Sequence, residues 1–132
     1  SLEADIPGNP VPQRGDLSPW ARRGVLLANA ALTVPAGRPG QHLRAWSGFT
    51  RAVLSAVNSK TAPVAFLLWG CKAIGRGRRL PIDLSRHHVI EAAHPRKGAK
   101  LDGRSLAQYE VFREVDRWLS SQPGGRIDWS LQ

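Results

Sequence analysis

Three short apolar runs, each closed by turn residues, constrain this chain most: Val25-Leu26-Leu27-Ala28, Val64-Ala65-Phe66-Leu67-Leu68-Trp69 and His88-Val89-Ile90-Glu91-Ala92-Ala93. The first two carry almost no polar residue, as expected of strands covered on both faces by helices. The third is less apolar and is expected nearer an edge. Between the first two, Trp46, Phe49, Val53 and Val57 recur at three- and four-residue steps, with Arg44, Arg51 and Lys60 off that stripe, which predicts an amphipathic helix. After the third run, Leu106, Tyr109, Phe112, Val115 and Leu119, flanked by Val111 and Trp118, predict a longer helix from near Ser105 to before Pro123-Gly124-Gly125. Ser18-Pro19-Trp20-Ala21-Arg22-Arg23 predicts a short helix, with serine suited to the cap and proline to the first turn. Strands alternating with helices imply α/β architecture with a short parallel sheet. Residues 1–15, with Pro7, Gly8, Pro10, Pro12 and Gly15, predict an irregular connector. The 132 residues suggest one domain.

Charge narrows the partners. Nineteen Lys and Arg against ten Asp and Glu leave a formal net charge of +9, in a composition 42% hydrophobic and 22% charged. That balance is globular, and it points to a partner rich in phosphate. A single cysteine excludes an internal disulfide and a multi-cysteine zinc module. The longest apolar run, Ala62 to Trp69, is too short to span a membrane, and the acidic start Ser1-Leu2-Glu3-Ala4-Asp5 lacks the pattern of a signal peptide. A soluble intracellular protein is expected, cytoplasmic in a bacterium and nuclear in a eukaryote or a DNA virus.

In open parallel sheets, ligands bind beyond the carboxyl ends of the strands. Here those ends carry Asn29, then Gly70-Cys71-Lys72, then His94-Pro95-Arg96-Lys97. Nine basic residues fall between Cys71 and Arg104, with Arg76, Arg78 and Arg79 in a glycine-rich stretch expected to be a loop and Arg96, Lys97, Lys100 and Arg104 after the third run. They read either as solvated surface or as a phosphate-tracking surface. Gly75-Arg76-Gly77 lacks the lysine and hydroxyl residue of a nucleotide-hydrolysing loop. His87, His88 and His94 invite a metal, but adjacent residues on a strand point to opposite faces and no second ligand set accompanies them, so no metal and no cofactor is expected. Asn29 alone suits a turn, and Cys71 reads as an inert thiol. The five tryptophans read as packing residues in preference to base-stacking platforms.

Several segments together resemble family-1 uracil-DNA glycosylases. They are Gly15-Asp16-Leu17-Ser18-Pro19-Trp20-Ala21, the stretch from Gly24 through Asn29 to Val34, Trp46 with Phe49, Leu67-Leu68-Trp69-Gly70, Arg86-His87-His88-Val89 running to His94-Pro95, and Ile127-Asp128-Trp129. The resemblance covers nearly the whole chain. It implies a three-layer α/β/α sandwich with a four-stranded parallel sheet, one strand of which is missing here. It further implies a monomer that flips uracil out of single- or double-stranded DNA and hydrolyses its N-glycosidic bond. By the match, Asn29 reads the uracil edge and His94 donates to uracil O2 as negative charge develops on the leaving base. Gly70, Cys71, Lys72, Arg96 and Lys97 contact the DNA backbone. The family's Gln-Asp-Pro-Tyr-His motif, with its water-activating aspartate, has no counterpart, and none of Asp16, Asp83, Glu91 and Asp102 matches a catalytic position. The chain therefore reads as the C-terminal part of a longer glycosylase or as a diverged partial copy, with negligible activity alone. Where the family continues His-Pro with Ser-Pro-Leu-Ser, this chain has Arg96-Lys97-Gly98-Ala99-Lys100-Leu101. Leu101 is then the candidate for the wedge that enters the base stack. A non-catalytic DNA-binding module derived from the same fold is the alternative.

Overall fold

The computed structural model describes Asp5, Ile6, Gly8 and residues 15–131. Helix α1 (Ser18–Arg22) leads through an irregular segment to a 3-10 turn (Gln41–Leu43) and helix α2 (Ser47–Asn58). Strand β1 (Ala65–Trp69), helix α3 (Cys71–Gly77), strand β2 (His88–Ala92), a second 3-10 turn (Leu106–Gln108) and helix α4 (Val111–Leu119) follow. The two strands run parallel, with Ala65 opposite His88 and Trp69 opposite Ala92.

Alternation along the strands sorts their side chains between two layers. Ile90 and Ala92 of β2 are buried against Val111, Phe112 and Val115 of α4, with Ala65, Leu67 and Trp69 of β1 packed beside them. Phe66 and Leu68 face the other way and are buried with Ile74 of α3. There Gly77 decides the approach: a Cβ on it would lie 2.3 Å from Leu68 Cδ1, so only glycine lets α3 settle this close to the sheet.

The main core is aromatic. Phe112 packs edge-on against Trp129 with centroids 4.9 Å apart and also meets Trp20 and Trp69. Trp20 Nε1–H donates to the carbonyl of Trp129 at 2.9 Å, and Trp129 Nε1–H donates to Asp116 Oδ1 at 2.9 Å. Arg23 donates to the carbonyls of Asp128 and Ser130 and pairs with Asp128. The Ile127-Asp128-Trp129 segment is thereby locked onto α1 and α4.

Three expectations need correction. Val25–Ala28 is not a strand: it is irregular and joins no ladder among the described residues, and Leu26 is 65% exposed and Leu27 48%. An apolar sequence forms a ladder only where a neighbouring strand supplies donors and acceptors, and no described residue does so here. The sheet therefore has two strands, not three, and β1 as well as β2 is an edge. The glycine-rich stretch carrying Arg76 is not a loop but helix α3, because its apolar Ile74 and its small Gly77 both face β1. The last helix does not begin at Ser105. Ser105 and Gln108 close a capping box around a 3-10 turn, and Glu110, at φ 46°, breaks the path before α4 starts. The expected connector over residues 1–15 falls mostly outside the described residues. Where it is described, Asp5 is buried and Oδ2 accepts Phe112 N–H at 2.6 Å, capping the open end of α4.

A polar clasp fixes the entrance to β2. Asn58, at the end of α2, accepts from Asp83 N–H and donates to the carbonyl of Pro81. The buried His87 accepts Val64 N–H at Nδ1 and donates from Nε2 to the carbonyl of Asn58. Asp83 accepts from Ser85 and Arg86. The Ser85 hydroxyl first, and Arg86 with it, hold the Asp83 carboxyl below its ordinary value of 3.8. A depressed folded value contributes stability above about pH 4 that is lost as pH falls through that lower value. Asp83→Asn is expected to flatten the acid limb of the stability profile, read from denaturant midpoints between neutral and acidic pH. Parallel limbs for variant and parent would contradict this.

Candidate active site

The carboxyl ends of β1 and β2 meet at Gly70 and His94. Gly70 N–H donates to the carbonyl of Ala92 at 2.8 Å, extending the ladder by one residue. At φ 84°, Gly70 turns the chain into α3, and a Cβ there would lie 2.9 Å from His94 Cβ and 3.3 Å from Cδ2. The imidazole therefore rests on bare backbone. Its Nδ1 accepts Arg96 N–H at 3.0 Å, across the rigid Pro95 step, so the ring proton resides on Nε2. His94 is exposed, and it presents a fixed N–H donor beyond the sheet.

Asn29 is also exposed and lies on the unpaired segment. No hydrogen bond joins it to His94 among the described residues. The next residue is anchored: the carbonyl of Ala30 accepts from Thr50 Oγ1 of α2 at 3.1 Å. Thr33 Oγ1 takes Trp46 Nε1–H at 2.8 Å and bonds His42 Nδ1 at 2.9 Å. The turn holding His42 reaches α3, where Arg76 donates to the carbonyl of Leu43 and Lys72 Nζ comes close to Gly40. A chain of contacts thus runs from beside Asn29 to α3, the helix that follows Gly70.

The cations divide into two groups. Arg78 pairs with Glu91 through both nitrogens, Arg86 with Asp83, and Arg104 lies 4.2 Å over the Tyr109 ring. Lys72, Arg79, Arg96, Lys97 and Lys100 form no ion pair among the described residues. Cys71 is exposed. Leu101 is half-buried, not projecting: it and Arg104 exchange backbone hydrogen bonds around Asp102 and Gly103, both at positive φ, and its carbonyl accepts Tyr109 Oη–H. That Asp-Gly hairpin was legible as a type I′ turn signal. Leu101 lines a cleft of about 270 Å³ with Cys71, Ile74, Gly75, Arg78, Glu91 and Asp102. A second cleft, lined by Asp5 and Arg113 among others, is built on α4; neither is lined by Asn29 or His94.

Of the histidines, His87 is a buried structural link, and His88 stacks on Trp118 and bonds Glu114 at 3.0 Å. No group of three metal-ligating side chains occurs among the described residues. The carboxylates are engaged elsewhere: Asp16 by Ser18, Asp83 by Ser85 and Arg86, Glu91 by Arg78.

The uracil-DNA glycosylase of Acinetobacter baylyi is 41% identical over 131 residues, which make up 98% of this chain and 54% of that protein. That of Xylella fastidiosa is 42% identical over 132 residues, 98% of this chain and 50% of the relative. Over these residues the chain is similar to uracil-DNA glycosylases. No protein-family model matches the chain. The crystal structure of mimivirus uracil-DNA glycosylase shares the fold, with a TM-score of 0.78 at 24% identity over 92% of this chain and 49% of that one. The chain thus spans about half the length of the relatives it matches. Within that half, Gly70 and His94 form the most closely built part of its candidate site.

Proposed function

We propose that this chain carries the base-reading and DNA-gripping half of a family-1 uracil-DNA glycosylase acting in base-excision repair. The observation that supports it is the His94 ring seated on Gly70 with its proton on Nε2. Breaking the N-glycosidic bond makes an oxocarbenium-like sugar and a uracil anion, and a preorganised donor aimed at uracil O2 acts where that charge appears. In this reading Asn29 reads the extruded base edge. Lys72, Arg96 and Lys97, with the backbone at Gly70 and Cys71, hold the phosphates that offset the cost of extrusion. Leu101 reaches the base stack only if the 101–104 hairpin moves. The partner is uracil-containing DNA, single- or double-stranded, bound by a monomer without a cofactor. A chimera joining this chain to the unmatched part of the Acinetobacter baylyi relative is expected to release uracil from both substrates, and the chain alone is expected to release almost none. A folded chimera without uracil release would sink the proposal.

The unpaired cations favour a second reading, a DNA-binding module without catalysis. If all five contact phosphates, the plot of log affinity against log salt is expected to fall with a slope of about −4.5 on duplex DNA. Lys97→Gln and Lys100→Gln are each expected to reduce that slope by about 1, measured by fluorescence anisotropy. Slopes unchanged by both substitutions would remove these lysines from the interface. Preference for a uracil-containing duplex at fixed salt separates the glycosylase from the module, which shows none.

A further inference from the structure

Asn29 sits on a segment that joins no ladder among the described residues, so bonds of another kind must hold it in place. Fixing such backbone costs conformational entropy that those bonds have to offset. Two hydroxyls act close by. Thr50 of α2 donates to the carbonyl of Ala30 at 3.1 Å. Thr33 carries two bonds on one oxygen. Trp46 Nε1–H donates to its Oγ1 at 2.8 Å, and because an indole can only donate, the hydroxyl proton is left for His42 Nδ1 at 2.9 Å.

The two partners of Thr33 belong to different parts of the fold. Trp46 immediately precedes α2 and packs edge-on against Phe49 of that helix, with centroids 5.6 Å apart. His42 lies in the 41–43 turn, where the carbonyl of Leu43 accepts from Arg76 of α3 at 3.2 Å. Helix α3 in turn follows Gly70, the residue on which the His94 ring rests. Thr33 thereby ties the Asn29 segment to α2 and to the side of the molecule that carries His94. Its exposure separates this from core packing. Thr33 is exposed and His42 and Trp46 are half-buried, so water can replace the lost bonds and the network adds little to global stability. What it fixes is geometry, and a group that reads a ligand must be held to within about 0.5 Å.

We propose that Thr33 is a positioning residue, whose hydroxyl, held between Trp46 and His42, sets Asn29 relative to His94 for reading the extruded base. This rests on the base-reading role proposed above for Asn29, and the two are tested separately.

The first arm needs no catalysis. Nitrogen-15 relaxation of the 132-residue chain is expected to show the 29–33 amides as ordered as those of α2. Thr33→Val is expected to loosen 29–33 while leaving 65–69 and 88–92 unchanged, and Thr33→Ser, which keeps the hydroxyl, is expected to restore the order. The second arm uses the chimera. There Thr33→Val is expected to lower uracil release by about 10- to 10²-fold, as a misplacement of about 1 Å does, with duplex affinity unchanged. Added to Asn29→Ala it is expected to cost nothing more, because it acts through that amide. Thr33→Ser is expected to recover the rate. Should Thr33→Val fail to fold, Trp46→Phe removes one of the two bonds and is read in the same way. Unchanged order at 29–33, no recovery by serine, or a loss that adds to that of Asn29→Ala would each overturn the proposal alone. Parental uracil release by Asn29→Ala would sink the base-reading role and the inference with it.

Discussion

Replacing His94 with alanine in the chimera is expected to lower the rate of uracil release by about 10²- to 10³-fold, the usual cost of losing one donor aimed at a developing anion. The loss falls on the chemical step, so duplex affinity measured by anisotropy stays close to that of the parent. Asparagine at 94 restores an N–H donor on a shorter arm and recovers only part of the rate. A His94→Ala chimera that releases uracil at the parental rate would remove the imidazole from the reaction. Gly70→Ala supplies the geometric companion. Its Cβ would meet His94 at 2.9 Å and would sit on a residue at positive φ, so the ring shifts and activity falls although no reacting group is lost. Equal activity of Gly70→Ala and the parent would show that the seat of the ring is immaterial.

Phe112→Ala produces the largest stability change, about 3–5 kcal/mol, from lost burial and the cavity left among Trp20, Trp69 and Trp129. Typical stabilities are only about 5–15 kcal/mol, so the variant is expected to be substantially unfolded at 37 °C. Urea denaturation followed by tryptophan fluorescence measures this directly. A midpoint within experimental error of the parent would mean that the aromatic cluster is not the centre of the core.

Much of this architecture was legible from residue spacing, and the exceptions have physical causes. Both paired strands, α1 and the apolar stripe of α4 follow from periodicity, because each buries its apolar face against something the chain itself supplies; α2 follows from the same periodicity although none of its residues is buried and Phe49 is 54% exposed. Val25–Ala28 is as apolar as β1 but has no strand partner among the described residues, and composition is blind to whether a partner is present. Helix α3 was hidden by Gly75 and Gly77, since glycine lowers helix propensity while the gain from its close fit against Leu68 is tertiary. The break at Glu110 was hidden for the opposite reason, a continuous apolar stripe crossing a local kink. At the candidate site, the positions of Gly70 and His94 at strand ends were evident, whereas the tautomer of His94 depends on a backbone N–H two residues on. The pairing of Arg78 with Glu91 likewise required knowing that α3 is a helix beside β2.

The seat beneath the imidazole has a consequence for how this part of the molecule can vary. Because the ring leans on the first residue after β1, its height above the sheet is set by two strands and very little by the residues that come after it. Beyond the one backbone N–H that it borrows from Arg96, the stretch from Lys97 to Lys100 is free to change length and charge while the donor stays put. Under the proposed function, grip on the nucleic acid and placement of the proton would thereby be separable, and selection could retune the former without disturbing the latter.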